Sequence, residues 1–379
     1  MLHAMPKQHQ ILMTGCSGYL GSWITMALLR AGHHVRGTTQ DVDDTHALFD
    51  EVFCREDGAL RHRLEIVEAE LLDADSWSGL ADGCDVIVHT ACPVVTDVGA
   101  PRHAMIDPAL VGTENVLREA SRAGGVTRVV HMSSIVTLLD HHRPSARRTA
   151  EEVVGPEDWN ETASPQTDPY AFAKVHGERA ARALVAEQIP EAAFASVLPG
   201  PVIGPPLAGD RVAGSIDKTL APLLTGQLRL GSVALYLGLV DVRDVATAFA
   251  RVVDLPHAQL VALGTSSRFI CTAQPVTSLQ DMADAVLEGF PIYAPLLPRR
   301  RLPLPRALLL LGMRFSLTRE AYSYTRAMLD RRVSYDTTLS QEMLGMRWRS
   351  AAESIGDTMR WLQAHGHYPP AHAQSPLNQ

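Results

Sequence analysis

The chain predicts an α/β fold: a doubly wound parallel sheet with helices on both faces, followed by a smaller, discontinuous C-terminal lobe. Three observations carry that expectation. Short apolar segments alternate with helix-compatible ones through the first half of the 379 residues. The first apolar segment runs straight into a glycine-rich turn. The alternation stops after Leu198, where proline and glycine crowd the chain. Apolar strands separated by helical crossovers imply parallel pairing with both faces covered.

Taken in order, the expected strands are Ile11–Thr14, His34–Thr39, Leu64–Glu68, Asp85–His89, Arg128–Ser133 and Ala193–Leu198, and the helices between them are Leu20–Ala31, Asp75–Ala81, Ile106–Ala123 and Pro169–Glu187. After the first strand, Gly15, Gly18 and Gly21 follow at three-residue spacing, ahead of the apolar run Trp23–Leu29. Such a turn lets backbone N–H groups approach a pyrophosphate at a helix N-terminus. GxxGxxG is a variant of the GxGxxG dinucleotide fingerprint, so the fold is read as Rossmann-type. Asp168-Pro169 suits a helix start, with a cap followed by an early proline. Leu198–Pro206, LPGPVIGPP, reads as a rigid loop. Ala234–Val240 reads as a further buried strand, Ala246–Val253 and Ala352–Ala364 as helices. The expected division is a dinucleotide-binding domain over 9–200 and 233–260, a second lobe over 201–232 and 261–367, and a loose tail over 368–379.

At 46% hydrophobic the chain can bury a sizeable core, and its net charge of −8 argues against a nucleic-acid or anionic-membrane surface. The five cysteines (Cys16, Cys54, Cys84, Cys92, Cys271) form no CxxC pair, which excludes a thiolate zinc site and fits a reducing compartment. Sixteen histidines include adjacent pairs but no HExxH, so no metal is expected. The N-terminal MLHAMPKQHQ has no apolar core of a signal peptide, and stretches such as Ala307–Leu311 fall far short of the roughly 20 residues a membrane span needs. A cytoplasmic protein that neither enters a membrane nor binds nucleic acid is expected.

Two further features bear chemistry. Tyr170 and Lys174, in YAFAK, lie four apart and share one helix face. A lysine cation beside a phenol favours the phenolate and makes tyrosine usable in proton exchange. An ordinary surface Tyr–Lys pair is the competing reading. Ser133-Ser134 ends a predicted strand, where a hydroxyl can bind a carbonyl or merely close a turn.

A glycine turn, a strand-end serine and a YxxxK helix, in that order, resemble the extended short-chain dehydrogenase/reductase family. The segments Cys84–Val94 (CDVIVHTACPV), Asp107–Leu117 (DPALVGTENVL), Glu157–Thr162 (EDWNET), Leu198–Pro205 and Val240–Ala246 (VDVRDVA) extend the likeness over about residues 9–365. They bring it nearest to dihydroflavonol reductases, cinnamoyl-CoA reductases and bacterial aldehyde or ketone reductases. The resemblance implies that Tyr170 is the acid/base, that Lys174 supports it and binds the nicotinamide ribose, and that Ser134 polarises the carbonyl. It implies a cofactor site in which Gly15, Gly18 and Gly21 shape the turn, Tyr19 and Leu20 give amides to the pyrophosphate, and Glu70 and Leu71 line the adenine. Thr90, Ala91 and Pro93 would pass beneath the cofactor, and Pro199 to Val202 would pack near the nicotinamide. Thr39 and Gln40 stand where NAD enzymes place an acid and NADP reductases an arginine. The chain has neither, Arg36 points elsewhere on its strand, and Asp41 is one residue late. With no acid to repel a 2′-phosphate, a slight preference for NADP(H) over NAD(H) is expected. Ala173 replaces the serine usual before the lysine.

The expected function is an NAD(P)(H)-dependent oxidoreductase interconverting a ketone or aldehyde and an alcohol on a fairly apolar, aromatic or alicyclic substrate. The alternatives are a sugar-nucleotide epimerase or dehydratase, a 3β-hydroxysteroid-type dehydrogenase, and, in a different class, a non-catalytic dinucleotide-sensing protein. The substrate pocket is expected from the Val136–Ser164 segment, with Leu138, Leu139, Trp159, His141, His142 and Arg143–Arg148, and from Ile292, Tyr293, Leu296 and Leu297 of the second lobe. Packing of the lobe against the sheet is an equal alternative for these residues. The resemblance implies a homodimer, by pairing of helices such as Ile106–Ala123 and Pro169–Glu187 with their symmetry mates.

Overall fold

The central sheet follows from six short, mostly apolar segments whose central members are buried on both faces. In the computed structural model, which describes residues 7–56, 58–92, 103–140, 152–229, 231, 233–298, 306–316, 325–326 and 328–369, these strands are β1 (Gln10–Thr14), β2 (His34–Thr39), β3 (Leu64–Glu68), β4 (Val86–His89), β5 (Arg128–Met132) and β6 (Ala193–Pro199). A seventh, β7 (Arg268–Cys271), completes an all-parallel sheet in the order β7-β6-β5-β4-β1-β2-β3. Strand order reverses between β1 and β4, the switch point at which ligands of open α/β sheets bind.

Because side chains alternate along a strand, neighbouring residues feed opposite layers. Ile11, Met13, Val86, Val88 and Val130 enter one apolar layer under α1 (Tyr19–Arg30) and a late helix over Val242–Asp254. Leu12, Ile87 and Val129 enter the other, beneath the helices Thr113–Ala123 and Pro169–Gln188. We call these last two α3 and α4, after α2 (Val42–Arg55), and the late one α5. A third core joins Ile216, Leu220 and Leu223 with Met282, Val286, Ile355, Met359 and Leu362, from the helices 214–224, 279–289 and Ala351–Ala364, the last labelled α6. No described helix is long and apolar enough to cross a membrane.

Several expectations are corrected. Arg268–Cys271, which the sequence did not mark as a strand, belongs to the sheet, pairing with Ser196–Pro199, and Leu344 and Met346 pack into the sheet's own core. The expected strand Ala234–Val240 is two short ones. Tyr236–Leu237 pairs antiparallel with Thr277–Ser278, and Val240–Asp241 pairs parallel with Val202–Ile203. Between them Gly238 packs so closely on Tyr335 that a Cβ would lie 2.8 Å from its ring. The helix expected over Asp75–Ala81 stops after one 3₁₀ turn, Asp75–Trp77, because Gly79 turns the chain at φ +80. The Ile106–Ala123 helix is interrupted by a π-helical turn, Pro108–Gly112, where Pro108 supplies no amide to the preceding turn. Tyr368, expected to begin a loose tail, is tied in: its carbonyl accepts from Tyr293 Oη at 2.8 Å and its hydroxyl donates to Asp217.

One buried ion pair joins these parts. Glu178, fully buried on α4, accepts from Arg268 Nε at 2.9 Å, from Arg182 at 3.2 Å and from Ser133 Oγ at 2.6 Å. Arg268, itself 1% exposed, also donates to Thr137 Oγ1 at 2.7 Å and to the carbonyls of Pro156 and Asp158 at 2.9 and 2.7 Å. Removing one member of such a pair strands a charge in the core. Arg268→Leu should therefore lower the free energy of unfolding by roughly 3–5 kcal/mol in urea titration, and Glu178→Leu/Arg268→Leu should cost less than Arg268→Leu alone. Equal stability of Arg268→Leu and wild type would show that the pair holds nothing.

Candidate active site

The glycine turn joins β1 to α1 at the carboxyl edge of the sheet. Gly15 sits at φ +71, where only glycine is unstrained. A Cβ on Gly21 would lie 2.0 Å from Gly15 O, so the helix can start this close to the strand only with glycine there. Gly18 is different: a Cβ there would meet only Gly15 O, at 3.6 Å. The protein itself leaves space at Gly18, and the first turn of α1 leaves the amides of Tyr19 and Leu20 without helical acceptors. This cradle fits a dinucleotide pyrophosphate in shape and in donor chemistry.

The floor beside it is built by hydrogen bonds that the sequence did not reveal. Thr14 Oγ1, at the end of β1, accepts from the amides of Thr90 and Ala91 at 3.0 and 2.9 Å, while Thr90 Oγ1 donates to Thr14 O at 2.6 Å. Having accepted twice, Thr14 gives its own proton to His89 Nδ1 at 2.9 Å. Thr113 Oγ1 donates to Ala109 O at 2.8 Å, so at 3.0 Å it accepts from His89 Nε2. The ring is thereby held as the neutral Nε2–H tautomer, and burial pushes its pKa down to about 3. Pro93 lies outside the described residues.

The catalytic candidates meet at the ends of β5 and α4. Asp168 caps α4 by accepting from Ala171 N at 2.9 Å, Pro169 opens the helix and half-buried Tyr170 follows. One turn on, Lys174 is 7% exposed and donates Nζ to Met132 O at 3.2 Å, two residues before Ser134. Burial opposes its charge, but neighbouring Cys92 and Tyr170 hold its pKa above the ordinary lysine range. Ser134 adopts extended backbone, and its Oγ has weak partners, Pro199 O at 3.5 Å and Val136 N at 3.4 Å, leaving it free to serve a ligand oxygen. Pro199 and Val202, both buried, end and begin the strands Ala193–Pro199 and Val202–Ile203. Behind Lys174 is a cavity of about 10 Å³, room for one water, lined among others by His89, Cys92, Thr113 and His131. Nδ1 of buried His131 has no hydrogen-bond partner among the described residues, and burial drives its pKa well below the usual histidine range.

Other expected contacts are arranged differently. Thr39 is buried, its hydroxyl engaged with Ser17 Oγ at 3.0 Å and Thr45 Oγ1 at 2.8 Å. Gln40 is exposed and donates to the Glu70 carboxylate at 2.5 Å. Arg36 is committed to Glu65 at 2.8 Å and to Leu80 O at 2.9 Å, away from the ribose side as expected. Leu71 packs against the α3–α4 layer, with its carbonyl bound by Asn115 at 2.9 Å. The pocket expectation fails for several side chains. Leu138 and Leu139 are core residues packed on Leu198, Ile270 and Tyr335. The Trp159 ring is engaged by the guanidiniums of Arg268 and Arg179, at 3.8 and 4.6 Å from its centroid. Tyr293 and Leu297 are buried in the lobe's own core, and His141, His142 and Arg143–Arg148 lie outside the described residues. Glu178, a further site-shaping residue, had one sequence signal: it stands four residues beyond Lys174, on the same helix face.

The profile of the NAD dependent epimerase/dehydratase family matches residues 11–263. Cinnamoyl-CoA reductase 1 of Petunia hybrida is 32% identical over 288 residues, covering 75% of this chain and 78% of that protein. Dihydroflavonol 4-reductase of Hordeum vulgare is 28% identical, covering 75% of each. Among solved structures, the yeast methylglyoxal/isovaleraldehyde reductase Gre2 complexed with NADPH superposes with a TM-score of 0.70 at 21% identity, over 94% of this chain and 99% of that one.

Buried His89 and His131 set a pH dependence. A histidine whose folded pKa lies below its unfolded value of about 6.5 binds its proton in the unfolded state first, so stability is full above that value and falls as pH drops toward the folded pKa. Each such ring costs up to about 1.4 kcal/mol per pH unit below 6.5. Denaturant titrations at pH 6 and pH 5 should therefore show His131→Phe losing about 1.4 kcal/mol less than wild type over that interval. Parallel losses would mean that His131 is not buried neutral.

Proposed function

The chain belongs to the NAD dependent epimerase/dehydratase family, in its cinnamoyl-CoA and dihydroflavonol reductase branch, and is an NAD(P)-dependent oxidoreductase of carbonyl and alcohol groups; on that premise we propose that it interconverts a fairly apolar ketone or aldehyde and its alcohol. The observation that carries the reading is the anchoring of Lys174 to Met132 O. It joins the Tyr170 helix to the strand end that bears Ser134, beside a glycine turn able to hold a dinucleotide.

When bound, the nicotinamide supplies or accepts the hydride. The chain's residues handle the oxygen and its proton. Ser134 Oγ donates to the carbonyl oxygen. Tyr170 Oη gives that oxygen a proton in reduction and takes it back in oxidation, and the Lys174 ammonium stabilises the phenolate that results. Thr90 and Ala91, held by Thr14, would form the floor of the cofactor site, and the amides of Tyr19 and Leu20 would hold the pyrophosphate. The cofactor half comprises 9–200, 233–260 and 268–271; the helices 214–224, 279–289 and 351–364 form the substrate lobe. An aromatic or alicyclic carbonyl is favoured by the named substrates of the relatives.

Tyr170→Phe should lower turnover roughly 100-fold or more while keeping cofactor affinity, and Lys174→Ala should reduce both. These are read by steady-state rates and fluorescence titration on whichever of a panel of aryl ketones, aryl aldehydes, ring ketones and nucleotide sugars is turned over. Wild-type turnover by Tyr170→Phe would remove it from the mechanism. Turnover of a nucleotide sugar alone would favour epimerisation.

NADP(H) is the favoured cofactor. Residue 39 offers no carboxylate to repel a 2′-phosphate, and the yeast reductase of the same fold was solved with NADPH. Gln40→Arg adds a cation worth about 1.5–3 kcal/mol to a phosphate partner. The NADPH-over-NADH affinity ratio should rise roughly ten-fold, and further in Gln40→Arg/Glu70→Gln, because Glu70 competes for the new guanidinium. An unchanged ratio in both variants would place residue 40 away from the ribose.

A further inference from the structure

Tyr19 opens α1, so its amide is one of the free donors at the glycine turn. Its side chain leaves the turn altogether. The hydroxyl donates to Gly204 O at 2.7 Å, 185 positions away in sequence. Burial, with the Asp241 carboxylate nearby, holds the phenol well above the usual tyrosine range, so it remains a donor. Gly204 ends the loop that begins at Pro199 and passes Ser134. Its φ is +126, and any Cβ there would lie 2.9 Å from the Val242 side chain, so the position admits only glycine. Its amide donates to Thr358 Oγ1 at 2.9 Å, and Thr358 passes its proton to Ser354 O at 2.7 Å, both on α6. Alongside, Arg243 bridges Asp241 and Asp357 at 2.8 and 2.6 Å, locking the start of α5 to α6.

We propose that Tyr19 is a positioning residue of the dinucleotide site: its hydroxyl fixes the pyrophosphate turn against the 199–204 loop and, through Gly204, couples filling of that site to order in α6. The proposal rests on the cofactor reading above. A dinucleotide spans two anchors, the amides of Tyr19 and Leu20 at one end and the Pro199–Val202 backbone at the other. The Tyr19–Gly204 bond is a direct strut between them. Without it the amides remain, but the turn itself is no longer held in register with the 199–204 loop, and the nicotinamide is less well held against Tyr170 and Ser134. Trp23, one turn along, donates Nε1 to Pro205 O at 3.0 Å. It ties α1 to the next residue of the chain without belonging to the turn, and so serves as the control.

Wild type, Tyr19→Phe, Trp23→Phe and Thr358→Val are compared by fluorescence titration with NADPH and NADH, by kcat and KM on an active carbonyl, and by hydrogen exchange of residues 351–364 with and without cofactor. Tyr19→Phe should keep its melting temperature within a few degrees, weaken cofactor binding and lower kcat roughly ten-fold each, leave KM for the carbonyl unchanged, and abolish the protection that cofactor confers on 351–364. Thr358→Val, which cuts the same link at its far end, should lose that protection too, and it decides the matter should Tyr19→Phe not fold. Trp23→Phe should lose stability yet keep both affinity and protection. Wild-type affinity with intact protection in Tyr19→Phe, or the same losses in Trp23→Phe, would overturn the role of Tyr19 alone. A wild-type protein that binds neither cofactor would overturn the cofactor reading as well.

Discussion

The architecture of the site depends on the buried Glu178–Arg268 pair. Glu178 rides on the helix of Tyr170 and Lys174, two turns and one turn beyond them. Arg268 comes from the edge strand β7, and its remaining donors hold Thr137, Pro156 and Asp158 in the segment that follows Ser134. Ser133, the neighbour of Ser134, is bound to the same carboxylate. Strand end, catalytic helix and intervening segment are thus referenced to one ion pair. A charge in the core is expensive unless fully partnered, and this one is: both oxygens of Glu178 have donors, and Trp159 covers the outer face of Arg268. The cost of disturbing the pair is what makes it a precise spacer.

A second, uncharged network does the same for the cofactor floor. The Thr14–His89–Thr113 chain has one consistent direction of donation, which fixes a neutral imidazole and leaves neither of its ring nitrogens open. It binds the end of β1 to the end of β4, the two strands flanking the switch point. Acidification would pull protons toward histidines that the fold holds neutral, so the floor and the stability of the domain share a pH dependence.

Two departures from the family pattern have local accounts in the structure. Ala173 is buried beside Lys174, and it lines the small cavity without removing a donor from the lysine. Gln40, at the position where the resemblance puts an arginine, donates to Glu70 instead.

Six of the seven sheet strands, the glycine turn and the Tyr170–Lys174 face were legible in the sequence, because each is a local pattern: short apolar runs separated by helical segments, a three-residue glycine spacing, a four-residue helical repeat. β7 was not, because Arg268 opens it and a buried arginine looks like a surface residue until its carboxylate partner, 90 residues earlier, is in view. The same holds for His89 and Thr113, ordinary in sequence and joined only by the sheet. Leu138, Leu139 and Trp159 read as pocket lining since apolar character is shared by pockets and cores; only packing separates them. The sequence by itself determined the fold class, the glycine turn and the shared helix face of Tyr170 and Lys174, since local spacing dictates each. Tertiary structure decided which polar groups meet across 24 to 185 residues of chain, because such partners are chosen by the burial that the whole fold imposes.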